Sequence, residues 1–480
     1  MVSVETFLDT PITTQWRDRL AEGHRRAQHL GRPIVVSVTE ATHPHDPIQL
    51  FERSQHLTTE RLFWSQPGAG FALVGLGVAQ ALETTEASRF QQAALAWQAL
   101  MAEAIIEAPH EAPSLGPVVL GGFAFDAQRP TSALWQYYPH GRLVLPRVLF
   151  TQRPGQAWVT YNIVIQPDSE VEAEAAEIES LTQAALTLEN QPTRLNGRAS
   201  GNGHAPTIAT HELQSAAKWQ ADVANATRAI RAGQLEKVVL ARAVQLKSSA
   251  PFNAARALRH LSSHYTGCYI FAIARGDDCF LGATPEQLVR LRAGEVQTMG
   301  LAGSIKRGKT TTEDERLGQT LLRSAKDREE HAVVVQAVVE ALEPMCAPLD
   351  YDDMPILLKL GNIQHLYTPI IGRVANGYTL LDFVERLHPT PAVGGRPREV
   401  ALQLIRDDED IDRGWYAGAV GWLDARGEGE FAVALRSALL QGHTATLFAG
   451  CGIMADSHPA QEYTESSLKL KPMLAALSAH

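Results

Sequence analysis

Cysteine is scarce: Cys268, Cys279, Cys346 and Cys451 are the only four in 480 residues. None stands in a CxxC pair or at metal-finger spacing, so neither a disulfide framework nor a structural zinc site is expected. Such thiols read as reduced side chains of a cytosolic protein. Long apolar runs are also missing; none approaches the roughly 20 residues that cross a bilayer. The opening stretch MVSVETFLDTPITTQW has no basic segment leading into an apolar one, so no export signal is expected. Positive charge is outweighed, with 43 Lys and Arg against 53 Asp and Glu. That balance argues against nucleic acid or an anionic membrane as partner. No repeat of 20–50 residues is visible.

What is present is a chain 45% hydrophobic, enough for one large or two ordinary cores. Pro33 to Val38 reads as a strand, and Ile48 to Phe51 as another. Further strands are expected in FALVGLGVA, over Pro117 to Asp126, over Leu143 to Phe150 and over Trp158 to Ile165. Phe90 to Ile106 and Glu170 to Leu188 read as helices, so residues 1–189 form a mixed α/β part with strands suited to an antiparallel sheet. Residues 190–210 are rich in Asn, Gly, Ser and Pro and read as a flexible loop or linker. Residues 211–480 follow as the catalytic region, with a helix over Ser215 to Ala232 and a strand over Glu236 to Val244. A hairpin over Tyr269 to Leu281, a strand over Val296 to Ser304 and a long helix over Leu321 to Leu342 come next. Two strands, Ala417 to Leu423 and Glu430 to Leu439, precede the C-terminal segment.

That segment, AGCGIMADSHPAQEYTESSLKLK, carries the densest chemistry. Gly450-Cys451-Gly452 reads as an apolar turn whose bare glycines let a ligand approach the backbone. A helix is expected from near Pro459, with Glu462, Glu465 and Lys469 on one face. In isolation, a solvated face with a Glu–Lys pair is the simpler reading of these residues. The long helix repeats the pattern, with Asp327 and Glu330 three residues apart in KDREEH. Two helices each offering carboxylates to one hard cation suit Mg²⁺, which prefers oxygen ligands. Lys237 opens an otherwise apolar strand; such a lysine ordinarily reaches out to solvent, but enclosed it becomes a candidate general base. Glu286, after the Thr-Pro turn, reads either as a surface carboxylate or as a general acid with raised pKa.

GATPEQLV, TMGLAGS, SAKDREEH, IQHLYT, LHPTPAVGG, RGWYAGAVG, VALRSAL and AGCGI…EYTESSLK occur in one order. Together they resemble the chorismate-utilising enzymes, and among their branches the isochorismate synthases. The likeness is dense over 215–475 and thinner upstream, where WSQPGAGFALVGLGVA, GGFAFD and LVLPRVLF still match. It implies an α+β fold of extensive antiparallel sheets stacked against helices around one central active site. It implies Mg²⁺ on Glu330 and Glu465, with Asp327 and Glu462 behind them. Lys469, Arg436, Tyr416 and the backbone of Gly450 and Gly452 would hold substrate carboxylates. His365 and Ala392 would line the pocket, and Gly303-Ser304 would turn against the substrate. Ser304 stands where many relatives have Thr, which keeps the hydroxyl.

By the same resemblance Lys237 activates water for attack at C2 of chorismate, and Glu286 protonates the departing C4 hydroxyl. The expected product is isochorismate, destined for menaquinone or for siderophore and salicylate biosynthesis. Lys237 and Ala302 set the chain apart from the ammonia-using branches, so no glutamine amidotransferase subunit is implied. Ala392, where salicylate synthases tend to have Thr, favours stopping at isochorismate; a salicylate synthase is the rival enzyme. A non-catalytic chorismate-binding regulator is the rival from another class, and a Mg²⁺-dependent turnover assay separates it.

Overall fold

The structure, a computed structural model, describes residues 14–85, 87–109, 112–190, 206–361, 363–375 and 377–478. Most of the 190–210 linker lies outside them; its end does not, because Ile208–Glu212 forms an edge strand against Lys237–Ser248.

Two large sheets make up the α+β body, one of thirteen strands and one of ten. Each takes strands from before residue 190 and from after residue 206. In the larger, Glu60–Gln66 pairs with Tyr269–Arg275, and in the smaller Val118–Phe123 pairs with Ala419–Asp424. Pairings are antiparallel except where Ile34–Thr42 meets Ile105–Glu107. Period-two alternation splits single strands between two cores. In Tyr269–Arg275, Phe271 and Ile273 join Trp64, Val289 and Phe431 in the core shared by the sheets. Ile270, Ala272 and Ala274 face the other way, against Leu258, Leu261, Leu470 and Met473 of two helices. A contact such as Phe71 on Trp422, ring centroids 5.9 Å apart, ties one sheet to the other.

Several elements differ from their sequence reading. Ile48 to Phe51 is not a strand but part of the helix Pro47–Arg53. Asp46 caps it, accepting from the Ile48 and Gln49 amides, with Pro47 at the first turn, a start signal that outweighs the β-prone Ile48 and Phe51. The apolar run Leu143 to Phe150 is two strands, Gly141–Leu145 and Val148–Arg153, which belong to different sheets on either side of Pro146. The helix expected to continue to Ile106 ends at Met101, and Ile105–Glu107 is a strand. Gly450 to Gly452 is no turn: it lies inside the strand Thr444–Ile453, paired along Lys237–Ser248.

Two further breaks matter for the site. Leu321 to Leu342 is divided between the helices Thr311–Arg323 and Ala325–Leu342. Ser324 sits between them, and its Oγ accepts from the Asp327 amide at 3.3 Å, starting the second helix just before its acids. Glu430 to Leu439 is also two strands, Gly429–Val433 and Ser437–Gln441. Arg436 precedes the second with φ of 47°, a left-handed conformation costly for a side chain with a Cβ.

Candidate active site

The site lies where these elements converge. Lys237 is the first residue of Lys237–Ser248, beside Thr444–Ile453, and is 1% exposed. Its Nζ lies 2.9 Å from Glu330 Oε1, on the Ala325–Leu342 helix. Gly452 makes that approach possible: a Cβ there would sit 2.4 Å from Glu330 Oε1 and 2.9 Å from Lys237 Cε. In the sequence Lys237 reads as a candidate general base and Glu330, by resemblance, as a metal ligand; the structure joins the two.

Glu286 lies where the chain crosses from Asp278–Thr284 of the larger sheet to Gln287–Arg292 of the smaller. Its amide donates to Thr284 Oγ1 at 3.2 Å and its carbonyl accepts from Val433 at 3.0 Å, so the backbone is pinned at the seam. Burial pushes its carboxyl up to about 7, against the opposing pull of Lys237, Lys469 and Arg436.

The acids come from two helices. On Pro459–Ser478, Lys469 bridges Glu465 at 2.9 Å and donates to the Gly450 carbonyl at 3.1 Å. Burial works against the Glu465 charge, but Lys469 outweighs it and holds that carboxyl below its usual range. Burial raises Glu462, and the Glu465 charge adds to the rise. Asp327 is raised by burial with help from the charges of Glu330 and Glu465. Like charges are thus gathered at the expense of their ionisation, and an oxygen-seeking divalent cation would relieve that cost. The donor set therefore fits Mg²⁺, with Glu330 and Glu465 each now held by a lysine. A thiol is near as well: ligating atoms of Cys451, Glu462 and Glu465 lie within 4.8 Å of one another. Cys451 Sγ–H, however, donates to the Glu462 carbonyl at 3.3 Å.

Opposite stand groups suited to an anion. Gly303, φ 74°, forms a bulge in the pairing of Glu295–Lys306 with Ile363–Val374 and packs against Asp327. Ser304 Oγ then lies 2.8 Å from His365 Nδ1, and Arg436 Nη2 lies 3.1 Å from His365 Nε2. Arg436 is buried, and its Nη1 has no partner among the described residues. Tyr416 stacks on Phe448 at 5.2 Å with its hydroxyl toward Gly450.

One cavity of about 1000 Å³, measured to its open mouth, is lined by all the residues singled out in the sequence. Lys237, Glu286, the four acids, Gly303, Ser304, His365, Ala392, Tyr416, Arg436, Gly450, Gly452 and Lys469 all reach it. Two lining residues lay inside the quoted motifs without an assigned task. Lys326, in SAKDREEH, sits 3.6 Å from Glu462. Arg413, in RGWYAGAVG, is fully paired with Glu409 and donates to the carbonyls of Val239 at 2.7 Å and Val393 at 3.0 Å. The signal for it was available: an acid four residues before an arginine at the edge of an apolar run.

Paired acids, enclosed lysines and an arginine whose Nη1 has no partner among the described residues thus meet around one cavity. The chain belongs to the chorismate-binding enzyme family, whose model, described as chorismate binding enzyme, matches residues 21–478. It is 42% identical over 457 residues to the salicylate biosynthesis isochorismate synthase of Pseudomonas aeruginosa, covering 95% of this chain and 92% of that one. It is 34% identical to isochorismate synthase MenF of Bacillus subtilis, with 98% of each covered. Among solved structures, MenF of Escherichia coli, a menaquinone-specific isochorismate synthase, superposes with a TM-score of 0.77 at 26% identity, covering 96% of this chain and 100% of that one. Anthranilate synthase component I of Streptococcus pneumoniae, 20% identical, shares the fold with a TM-score of 0.65 over 84% of this chain and 92% of that one.

Proposed function

We propose that this protein is an isochorismate synthase, converting chorismate to isochorismate with Mg²⁺. One observation carries the reading: the buried Lys237 and the buried Glu286, whose carboxyl burial pushes up to about 7, line one cavity with Arg436 and Lys469. Arg436, Lys469 and the backbone at Gly450 and Gly452 bind the substrate's carboxylates and fix its ring. Lys237 takes a proton from the water that adds at C2. Glu286, protonated, gives its proton to the C4 hydroxyl as that leaves and the double bonds shift. Glu330, Glu465, Asp327 and Glu462 would hold Mg²⁺, which supplies neutralising charge for the dianion. Lys237 Nζ is paired with Glu330 Oε1, so the lysine acts as base only after it has lost its own proton.

The relatives' names attach the product to salicylate and to menaquinone biosynthesis, and the same product serves either fate here. Four buried, unpaired cysteines fit a reducing cytosol, and no helix among the described residues is long and apolar enough to cross a membrane. The test is chromatography of the products formed from chorismate with and without Mg²⁺. Isochorismate without pyruvate supports the reading; pyruvate and salicylate in its place would make the enzyme a salicylate synthase, and no conversion would refute both.

A further inference from the structure

Ser304 and His365 are cross-strand neighbours, brought side by side by the bulge at Gly303. The ring of His365 is held at both nitrogens, by Ser304 Oγ at 2.8 Å and Arg436 Nη2 at 3.1 Å. These contacts have a direction. A guanidinium only donates, so Nε2 of the ring must accept. A neutral imidazole then carries its single hydrogen on Nδ1, beside Ser304 Oγ, with the Gly303 carbonyl as a further acceptor for the ring. Burial, with the charges of Arg436 and Lys469, keeps the ring neutral by holding its pKa well below the ordinary value. The opposite tautomer would set an N–H against an N–H.

Ser304 Oγ therefore has an acceptor position filled by His365, while its own hydrogen has no other partner among the described side chains. Ser304 lines the cavity, and so does Arg436, whose Nη1 is buried without a partner among the described residues. We infer that Arg436, His365 and Ser304 form a one-way hydrogen-bond relay that makes the Ser304 hydroxyl a donor to an acceptor oxygen of the bound substrate. Arg436 Nη1 serves a substrate carboxylate at the same time. The inference rests on the reading of this cavity as the site of an anionic, oxygen-rich substrate. His365 is a positioning residue in it, and Ser304 is the group that touches substrate. A ligand is thereby selected for a carboxylate, carbonyl or ether oxygen at this point of the pocket.

The relay is tested in two arms. The ligand-free, full-length protein is labelled with ¹⁵N-histidine, and the His365 signals are identified by their loss in His365→Asn. Two-bond proton–nitrogen correlations then show which ring nitrogen bears hydrogen. The expected result is a protonated Nδ1 and a bare Nε2, unchanged in Ser304→Ala. A hydrogen on Nε2, or on both nitrogens, would overturn the relay. In the second arm, Ser304→Ala lowers kcat/KM for chorismate by about 10- to 100-fold, the loss of one hydrogen bond to a charged or strongly polar oxygen. Ser304→Thr, which restores the hydroxyl, recovers most of that loss. An alanine variant as efficient as wild type would overturn Ser304 as donor. Failure of the wild type to turn over chorismate would sink the functional reading alone, because the tautomer is read without ligand.

Discussion

Replacing Glu286 by glutamine should weaken the enzyme as a catalyst and strengthen it as a folded protein. The carboxyl is 6% exposed, and burial lifts it from an ordinary 4.5 to about 7. A group raised on folding lends stability that is complete below about pH 4.5, declines as pH rises, and is gone above about 7. The interval corresponds to roughly 3 kcal/mol, and most of it falls between pH 5 and pH 8. Glutamine keeps the shape and has no charge to bury. The stability of Glu286→Gln relative to wild type should therefore climb by roughly 2 kcal/mol from pH 5 to pH 8. Urea unfolding of both ligand-free proteins across that range measures it. Catalysis moves the other way: wild-type kcat/KM, which reports the free enzyme, falls as pH passes through about 7 and the acid loses its proton. The variant loses about two to four orders of magnitude below pH 7, and the gap narrows above it as wild type loses its acid. A stability difference flat in pH would show that Glu286 ionises like an ordinary carboxylate, and its role as the acid would fall with that.

Lys237→Ala should lower kcat by about two to four orders of magnitude while calorimetry still detects Mg²⁺-dependent chorismate binding. A variant keeping a tenth of wild-type kcat would remove Lys237 as the base. Glu465→Gln should abolish turnover at limiting Mg²⁺ with the far-ultraviolet circular dichroism unchanged, since it loses the anionic oxygen but not the shape; full activity there would refute the ligand assignment. Ala392→Thr adds a hydroxyl to the cavity wall and should release measurable pyruvate with less isochorismate. Pyruvate at background in a fully active variant would strip this position of its discriminating role.

The site was more legible in the sequence than the fold that builds it, and the reason lies in which interactions are local. Glu462, Glu465 and Lys469 are spaced to share a helix face, and they do. Asp327 and Glu330 were readable in the same way, because i,i+3 spacing survives wherever the helix is placed. Strand boundaries depended on partners far along the chain. Leu143 to Phe150 is one apolar run in sequence, yet Pro146 sends its halves to different sheets. Gly450-Cys451-Gly452 looked like a turn because glycine is poor in strands. It is a strand because the Lys237–Ser248 neighbour completes its ladder and Glu330 occupies the space a Cβ would need.

That second use of glycine shows what composition alone conceals. At Gly452 no positive φ is involved; the residue is glycine because an ion pair from two other elements passes over it. Lys237 comes from a strand, Glu330 from a helix, and their meeting point lies on a third segment more than 100 residues away in sequence. No periodicity links the three. The same holds for Arg436, whose left-handed backbone accompanies one guanidinium nitrogen placed on His365 and another buried without a partner among the described residues. Backbone strain and a missing hydrogen-bond partner are both unfavourable in a folded chain without ligand. They occur together here, on one residue that lines the cavity. The residues that sequence reasoning could name but not explain are those whose interactions are completed across the cavity.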